Sequence, residues 1–148
     1  MPPNILLILT DQHSPHIAGY AGDRHIGTFT LDLLSVWGAR FDAATCQSPL
    51  CVPSRMSMLT GKYPHRCDAY DNQSVLDSGQ HITIPAWLAR HGYETAAVGK
   101  MHFRGAEQMH GFQHRPYGDL VDSPVSRHQP DPPETVGGRN NNHAIGLF

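Results

Sequence analysis

The residues of this chain best suited to do chemistry begin at Cys51 and run through Val, Pro53, Ser54 and Arg55 to Met, Ser, Met, Leu, Thr60 and Gly61. A thiol stands four positions ahead of a guanidinium, at the start of a stretch that reads as a short helix closing at Thr60 and Gly61. Pro53 and Ser54 suit a first helical turn, where proline costs no hydrogen bond and unpaired backbone N–H groups face outward. Those N–H groups favour an oxyanion, and Arg55 adds a forked cation on the same side. Cys51, just ahead of the helix, is placed to react with whatever the anion site holds. Taken singly, a cysteine near a helix start is as often a small buried hydrophobe. A thiolate phosphatase loop needs a longer gap between cysteine and arginine than the three residues found here. A zinc site from Cys46, Cys51, Cys67 and His65 would lack the C-x-x-C spacing of such sites.

Two further groups fall where strands end, the place at which open α/β sheets gather ligands. Asp11 and Gln12 follow the apolar run Ile5-Leu-Leu-Ile-Leu9. The plain structural reading of Asp11 is a helix cap or turn former. Lys100 and His102 follow the apolar stretch around Ala96 and Val98. Two positions apart on an extended segment, they share one face. Against that stand a solvated surface lysine and a histidine packed beside Phe103.

The elements that must position these groups read as alternating strand and helix. A continuous apolar run such as residues 5–10 suits a strand of a parallel sheet covered on both faces. Thr30 can cap a helix over residues 31–37 with Gly38 as its stop, and residues 39–44 read as a short strand. Residues 62–79 are loop-like. Thr83 opens a second helix over residues 84–90, Gly92 ends it, and a strand over residues 93–99 follows, the αβ half of a βαβ unit. From about Gly118 turn formers dominate and apolar periodicity fades, which reads as a long loop. The last five residues are apolar with nothing after them to pack against.

Composition narrows the class. At 148 residues the chain can build one modest core, and 39% hydrophobic with 16% charged residues fits a soluble globular protein. A formal net charge of −2 argues against nucleic acid or anionic membrane as partner. No run approaches the roughly 20 apolar residues of a membrane span. The N-terminus has neither a basic region nor a small-residue cleavage site. Three cysteines, an odd number, disfavour a disulfide framework, and a cytoplasmic setting is expected.

The stretch Cys-x-Pro-Ser-Arg followed by x-x-x-Leu-Thr-Gly resembles the signature of the type I sulfatases, formylglycine-dependent members of the alkaline phosphatase superfamily. Asp11 with Gln12, and the segment from Lys100 through Phe103 to Gly105 and on to Gly111, resemble the choline-sulfatase branch. The resemblance covers most of residues 4–119. It implies an α/β fold, the N-terminal part of a mostly parallel sheet flanked by helices, with residues 120–148 a loop-rich and incomplete tail. It implies that Cys51 is oxidised to formylglycine by a formylglycine-generating enzyme, and that the hydrated aldehyde attacks the sulfur of a small sulfate ester. Arg55, Lys100 and His102 would be catalytic: the two cations stabilise charge, and His102 bonds the second hydroxyl and helps its deprotonation. Lys100 would also contact the sulfate, as would Asn72 in the loop after the signature, where a plain turn role is an equal reading. Asp11, Gln12 and the modified Cys51 would bind a divalent metal, calcium first, with manganese or magnesium as alternatives. Family members are several times longer, and their later half supplies further metal ligands, a second histidine and a second lysine. The chain is therefore expected to be a truncated portion, inactive alone and prone to associate, with a homo-oligomer left open. Two other readings remain: a phosphonate or phosphodiester hydrolase of the same superfamily, and a non-catalytic relic that acts only in binding.

Overall fold

The structure, a computed structural model, describes residues 2–117 and 143–147. The described chain forms two compact units: Thr10–Thr45, and the remainder, drawn from Met1–Leu9 and Cys46–Phe148. The larger unit carries a four-stranded sheet of β1 (Ile5–Ile8), β2 (Glu94–Val98), β3 (His114–Tyr117) and β4 (His143–Leu147), in the order β1-β4-β2-β3. Every pairing is parallel, with Ile5 opposite Ala144 and Glu94 opposite His143. Residues 143–147, which as sequence offer an apolar end with no partner, thus form an inner strand. The loop expected over 118–142 lies outside the described residues.

The apolar run at the N-terminus forms its strand, but its faces are bare. Ile5, Leu6, Leu7 and Ile8 keep 42–60% of their surface exposed. The expectation of a strand covered on both faces is not met within the described residues.

Among the described residues, two α-helices belong to the larger unit. Helix α2 (Cys51–Thr60) ends where Gly61 takes φ +65, a left-handed cap that glycine adopts without steric cost. Cys51 is its first helical residue rather than the residue before it. Helix α3 (Ile84–Arg90) starts at Thr83, whose hydroxyl accepts from the Ala86 N–H, and Gly92 follows it at φ +84. The expected helix, glycine stop and strand appear here in order.

Helix α2 is the centre of the core. Val52 and Met56 pack with Cys67, Ala69 and Leu76 on one side. Leu59 packs with Ala97 of β2 and with Met101, Phe103 and Phe112 on the other. Burying each large apolar side chain contributes about 2 kcal/mol, so the helix is pinned from two directions. Cys67 serves this core as a small hydrophobe, 1% exposed.

The smaller unit holds helix α1 (Phe29–Trp37), with a short 3-10 turn at Gly19–Ala21 ahead of it. Asp32 ties the two together: its carboxylate accepts from the Tyr20 N–H at 2.8 Å and the Thr28 hydroxyl at 3.0 Å. The helix begins two residues earlier than the sequence suggests, after Thr28 instead of Thr30. Gly38 ends it in extended rather than left-handed geometry. Residues 39–44, expected as a strand, form none; Arg40 turns back to pair with Asp42 at 2.7 Å and covers the Tyr20 ring.

A tight loop at residues 107–112 locks α3 to β2. The Glu107 carboxylate accepts from the N–H groups of Met109 and His110. The Thr83 hydroxyl donates to the His110 carbonyl at 2.6 Å, and Ser78 Oγ lies 2.6 Å from His110 Nδ1. Gly111, at φ +94, passes so close to Ala86 that a Cβ would sit 2.5 Å from its backbone nitrogen. Backbone hydrogen bonds from His110 and Met109 hold the Glu107 carboxyl below its ordinary value of 4.5. Burial pushes the His110 imidazole below its ordinary 6.5, with Arg115 adding to the effect and Glu107 opposing it. The unfolded chain therefore takes up this proton at a pH where the folded chain does not. Stability is complete above pH 6.5 and falls as the pH drops below it. Glu107 adds a second decline below 4.5. Thermal melts across this range should show the midpoint falling on the acid side, and His110→Gln should flatten the upper part of the fall.

Candidate active site

Cys51 opens α2, half-buried, and its first turn is already engaged. The Val52 N–H donates to Asn72 Oδ1 at 3.1 Å, and the Ser54 N–H donates to the Leu50 carbonyl at 3.0 Å. The outward-facing N–H cradle expected from the sequence is therefore partly filled by Asn72, which here serves as a remote cap. Its turn is stapled locally. Asp71 Oδ1 accepts from the Gln73 N–H and the Ser74 hydroxyl, and Ser74 Oγ accepts from the N–H groups of Tyr70 and Asp71.

Arg55 is buried, 4% exposed, and its Nη1 donates to the Lys100 carbonyl at 2.6 Å. A guanidinium so placed is a clamp between the helix and the segment after β2. The sequence reading of Arg55 as a cation on the outward side of the helix misses this backbone bond, because burial is invisible in spacing alone.

Lys100 Nζ lies 3.7 Å from Cys51 Sγ, so the two residues expected to share one site do meet. The strand ends at Val98, and residues 100–104 are not extended as expected: His102 has φ +57, a left-handed conformation that costs a non-glycine residue about 1 kcal/mol or more. Alternation survives for another reason. Met101 and Phe103 are buried in the core, which leaves Lys100, His102 and Arg104 partly accessible. The segment is held from behind as well. Gln108 Nε2 donates to the Gly105 carbonyl, Arg115 Nη1 donates to Gln108, and the Arg115 guanidinium lies over the Phe103 ring.

Arg104 is the residue that the sequence reading missed. Its Nε donates to the Asn72 carbonyl at 2.9 Å, and its Nη2 lies 3.3 Å from His102 Nε2. The signal was present as a third polar residue in the same alternation, Lys100, His102, Arg104.

Asp11 and Gln12 lie in the smaller unit, exposed in a turn after β1, with Gln12 at φ +55. Among the described residues, no group of three or more His, Cys, Asp or Glu side chains is placed to hold a metal ion. Calcium takes six to eight oxygen ligands and magnesium six, so two adjacent donors do not make such a site. The described residues do not by themselves fit a complete metal centre.

The family model described as Sulfatase matches residues 3–144. The chain belongs to the sulfatase family. It is 38% identical over 121 residues to the choline-sulfatase of Rhizobium meliloti (strain 1021), covering 80% of this chain and 23% of that protein. To the N-acetylglucosamine-6-O-sulfatase of Bacteroides thetaiotaomicron it is 37% identical over 112 residues, covering 76% of this chain and 20% of that one. A solved structure described as in complex with its substrate, D-glucosamine-2-N,6-O-disulfate, superposes with a TM-score of 0.73 at 33% identity, over 84% of this chain and 24% of the other. The fold is that of the sulfatases, the alkaline-phosphatase-like α/β class. This sulfatase chain spans between a fifth and a quarter of the length of these relatives.

The capping role of Asn72 is open to test. Asn72→Ala removes the acceptor of a half-buried N–H and should lower stability by about 1 kcal/mol, read from urea unfolding. Asn72→Asp, which keeps an acceptor at a helix N-terminus, should lose far less.

Proposed function

We propose that this chain carries the nucleophile and part of the charge-stabilising machinery of a sulfatase that hydrolyses the sulfate monoester of a small alcohol. The approach of Lys100 Nζ to Cys51 Sγ, 3.7 Å at the start of a sulfatase-signature helix, is the observation that carries this reading. Oxidised to formylglycine by a formylglycine-generating enzyme, residue 51 supplies in hydrated form the hydroxyl that attacks sulfur, breaking the S–O bond to the alcohol, which leaves. Lys100 places an ammonium where the negative charge of the transferring group develops, a preorganised electrostatic role. Arg55 keeps Lys100 in place through its carbonyl. His102 offers a ring nitrogen for hydrogen bonding to the reacting groups.

Asp11 and Gln12 are proposed as two oxygen donors toward a divalent cation, calcium before manganese or magnesium, whose other ligands lie outside the described residues. With so few donors the chain alone should show little turnover. Among relatives, the choline-sulfatase gives the substrate reading its direction: a low-molecular-weight sulfate ester, in preference to a phosphonate.

The reading is tested by co-expressing the chain with a formylglycine-generating enzyme and analysing the tryptic peptide 41–55 by mass spectrometry. Loss of the Cys51 sulfur, with Cys46 unchanged, is expected. Retention of the Cys51 thiol under conditions that convert a control sulfatase would overturn the proposal and favour a relic that keeps the motif without its chemistry. In a complete enzyme carrying this segment, Cys51→Ala should abolish hydrolysis of an aryl sulfate.

A further inference from the structure

Cys51 and Lys100 meet while residue 51 is still a thiol. Lys100 Nζ donates to Cys51 Sγ at 3.7 Å, and both residues keep part of their surface open to solvent. The pair has few competitors. The chain has two lysines, and the other, Lys62, has its Nζ 2.9 Å from His81 Nδ1. Of the other two cysteines, Cys67 is 1% exposed in the core. Cys46 is exposed, with its Sγ 3.1 Å from the Ser48 carbonyl.

The segments that carry the pair are already tied together. Arg55, on the helix that Cys51 opens, holds the Lys100 carbonyl at 2.6 Å, and Asn72 holds the Val52 N–H at 3.1 Å. A lysine stem is flexible, so bringing Nζ onto Sγ asks for side-chain rotation and leaves the backbone where it is. A cysteine oxidised by a peroxide becomes a sulfenic acid, which condenses with a thiol or with a nearby nitrogen. Here the Lys100 amine stands where that nitrogen is needed.

We propose that Cys51 and Lys100 form a redox-responsive pair that closes to a sulfenamide. Hydrogen peroxide transfers one oxygen to the Cys51 sulfur, giving a sulfenic acid and water. The Lys100 amine, its extra proton given to solvent, then attacks that sulfur. The S–N bond forms, the S–O bond breaks, and the hydroxyl leaves with one amine hydrogen as a second water. Sulfur loses two electrons and the peroxide gains them, so no other oxidant is needed. The bridge stops oxidation short of the irreversible sulfinic stage. Added thiol reopens it, restoring the Cys51 thiol and the Lys100 amine while the reductant becomes a disulfide. Formylglycine has no sulfur to bridge, so this inference concerns the unconverted chain and stands apart from the sulfatase reading.

The test takes the full chain, made in a host without a formylglycine-generating enzyme, and adds hydrogen peroxide at about pH 8.5, where an ordinary thiol is half ionised. Tryptic peptides are then read by mass spectrometry. Expected is peptide 41–55 joined to peptide 91–104, uncut after Lys100 and lighter by two hydrogens than the two together. Dithiothreitol should part them. Lys100→Arg, which keeps the cation but lacks the amine, should lose the joined peptide and let Cys51 pass on to sulfinic acid. Cys46→Ser should keep it. Oxidation in concentrated urea, where the two side chains no longer meet, should leave little of it. The proposal is overturned by Cys51 that stays a thiol, goes to sulfinic acid, or pairs with Cys46 inside one peptide, with no joined peptide in any of these cases. A join through Lys62, an oxygen retained in the linkage, or an equal yield in urea overturns it as well. Should Lys100→Arg fail to fold, the unmutated chain with and without urea decides alone.

Discussion

A hydrogen bond from the buried Arg55 guanidinium to the Lys100 carbonyl, 2.6 Å long, joins the two segments on which the site depends. They are 45 residues apart in sequence. A charged donor away from water makes a short, strong bond. The bond is also one link in a closed circuit. From Lys100 the chain runs to Arg104, Arg104 holds the Asn72 carbonyl, and Asn72 holds the Val52 N–H on the helix that carries Arg55. Each link limits the movement of the others, so the strained backbone of His102 is determined from both sides.

The circuit concentrates positive charge. Arg55, Lys100 and Arg104 all sit on the segments that surround Cys51. Clustered positive charge of this kind favours a nearby anion.

Much of this was legible in the sequence, and the limits have physical causes. Helix α2 could be read from its proline near the start and its glycine at the end, and α3 from Thr83 and Gly92, because capping is local chemistry. The strand at Glu94–Val98 followed from an apolar run between two turn signals. Residues 39–44 misled because β-propensity acts only where a partner strand exists, and Arg40 found Asp42 and Tyr20 instead. Residues 143–147 misled for the opposite reason: five residues look like an idle end until β1 and β2, both distant in sequence, are seen to flank them. At the site, Cys51 and Lys100 were legible as chemistry. Asn72 as a cap, Arg55 as a clamp and Arg104 as a bridge were not, since each acts through a backbone group whose position only the fold supplies.

The strand order has a consequence in time. β4 lies between β1 and β2, so among the described strands β1 has no neighbour in the sheet until more than a hundred further residues have been made. Pairings this distant in sequence are slow, because the entropy of closing the loop is spent before any contact rewards it. Until β4 is made, the four apolar residues of β1 lack a described partner strand, and transiently exposed apolar segments of that kind are prone to associate. Helix α2 with its flanking loops, built from much nearer contacts, can assemble first. The order of events is then written into the topology: the helix that Cys51 opens is shaped early, and the sheet closes late.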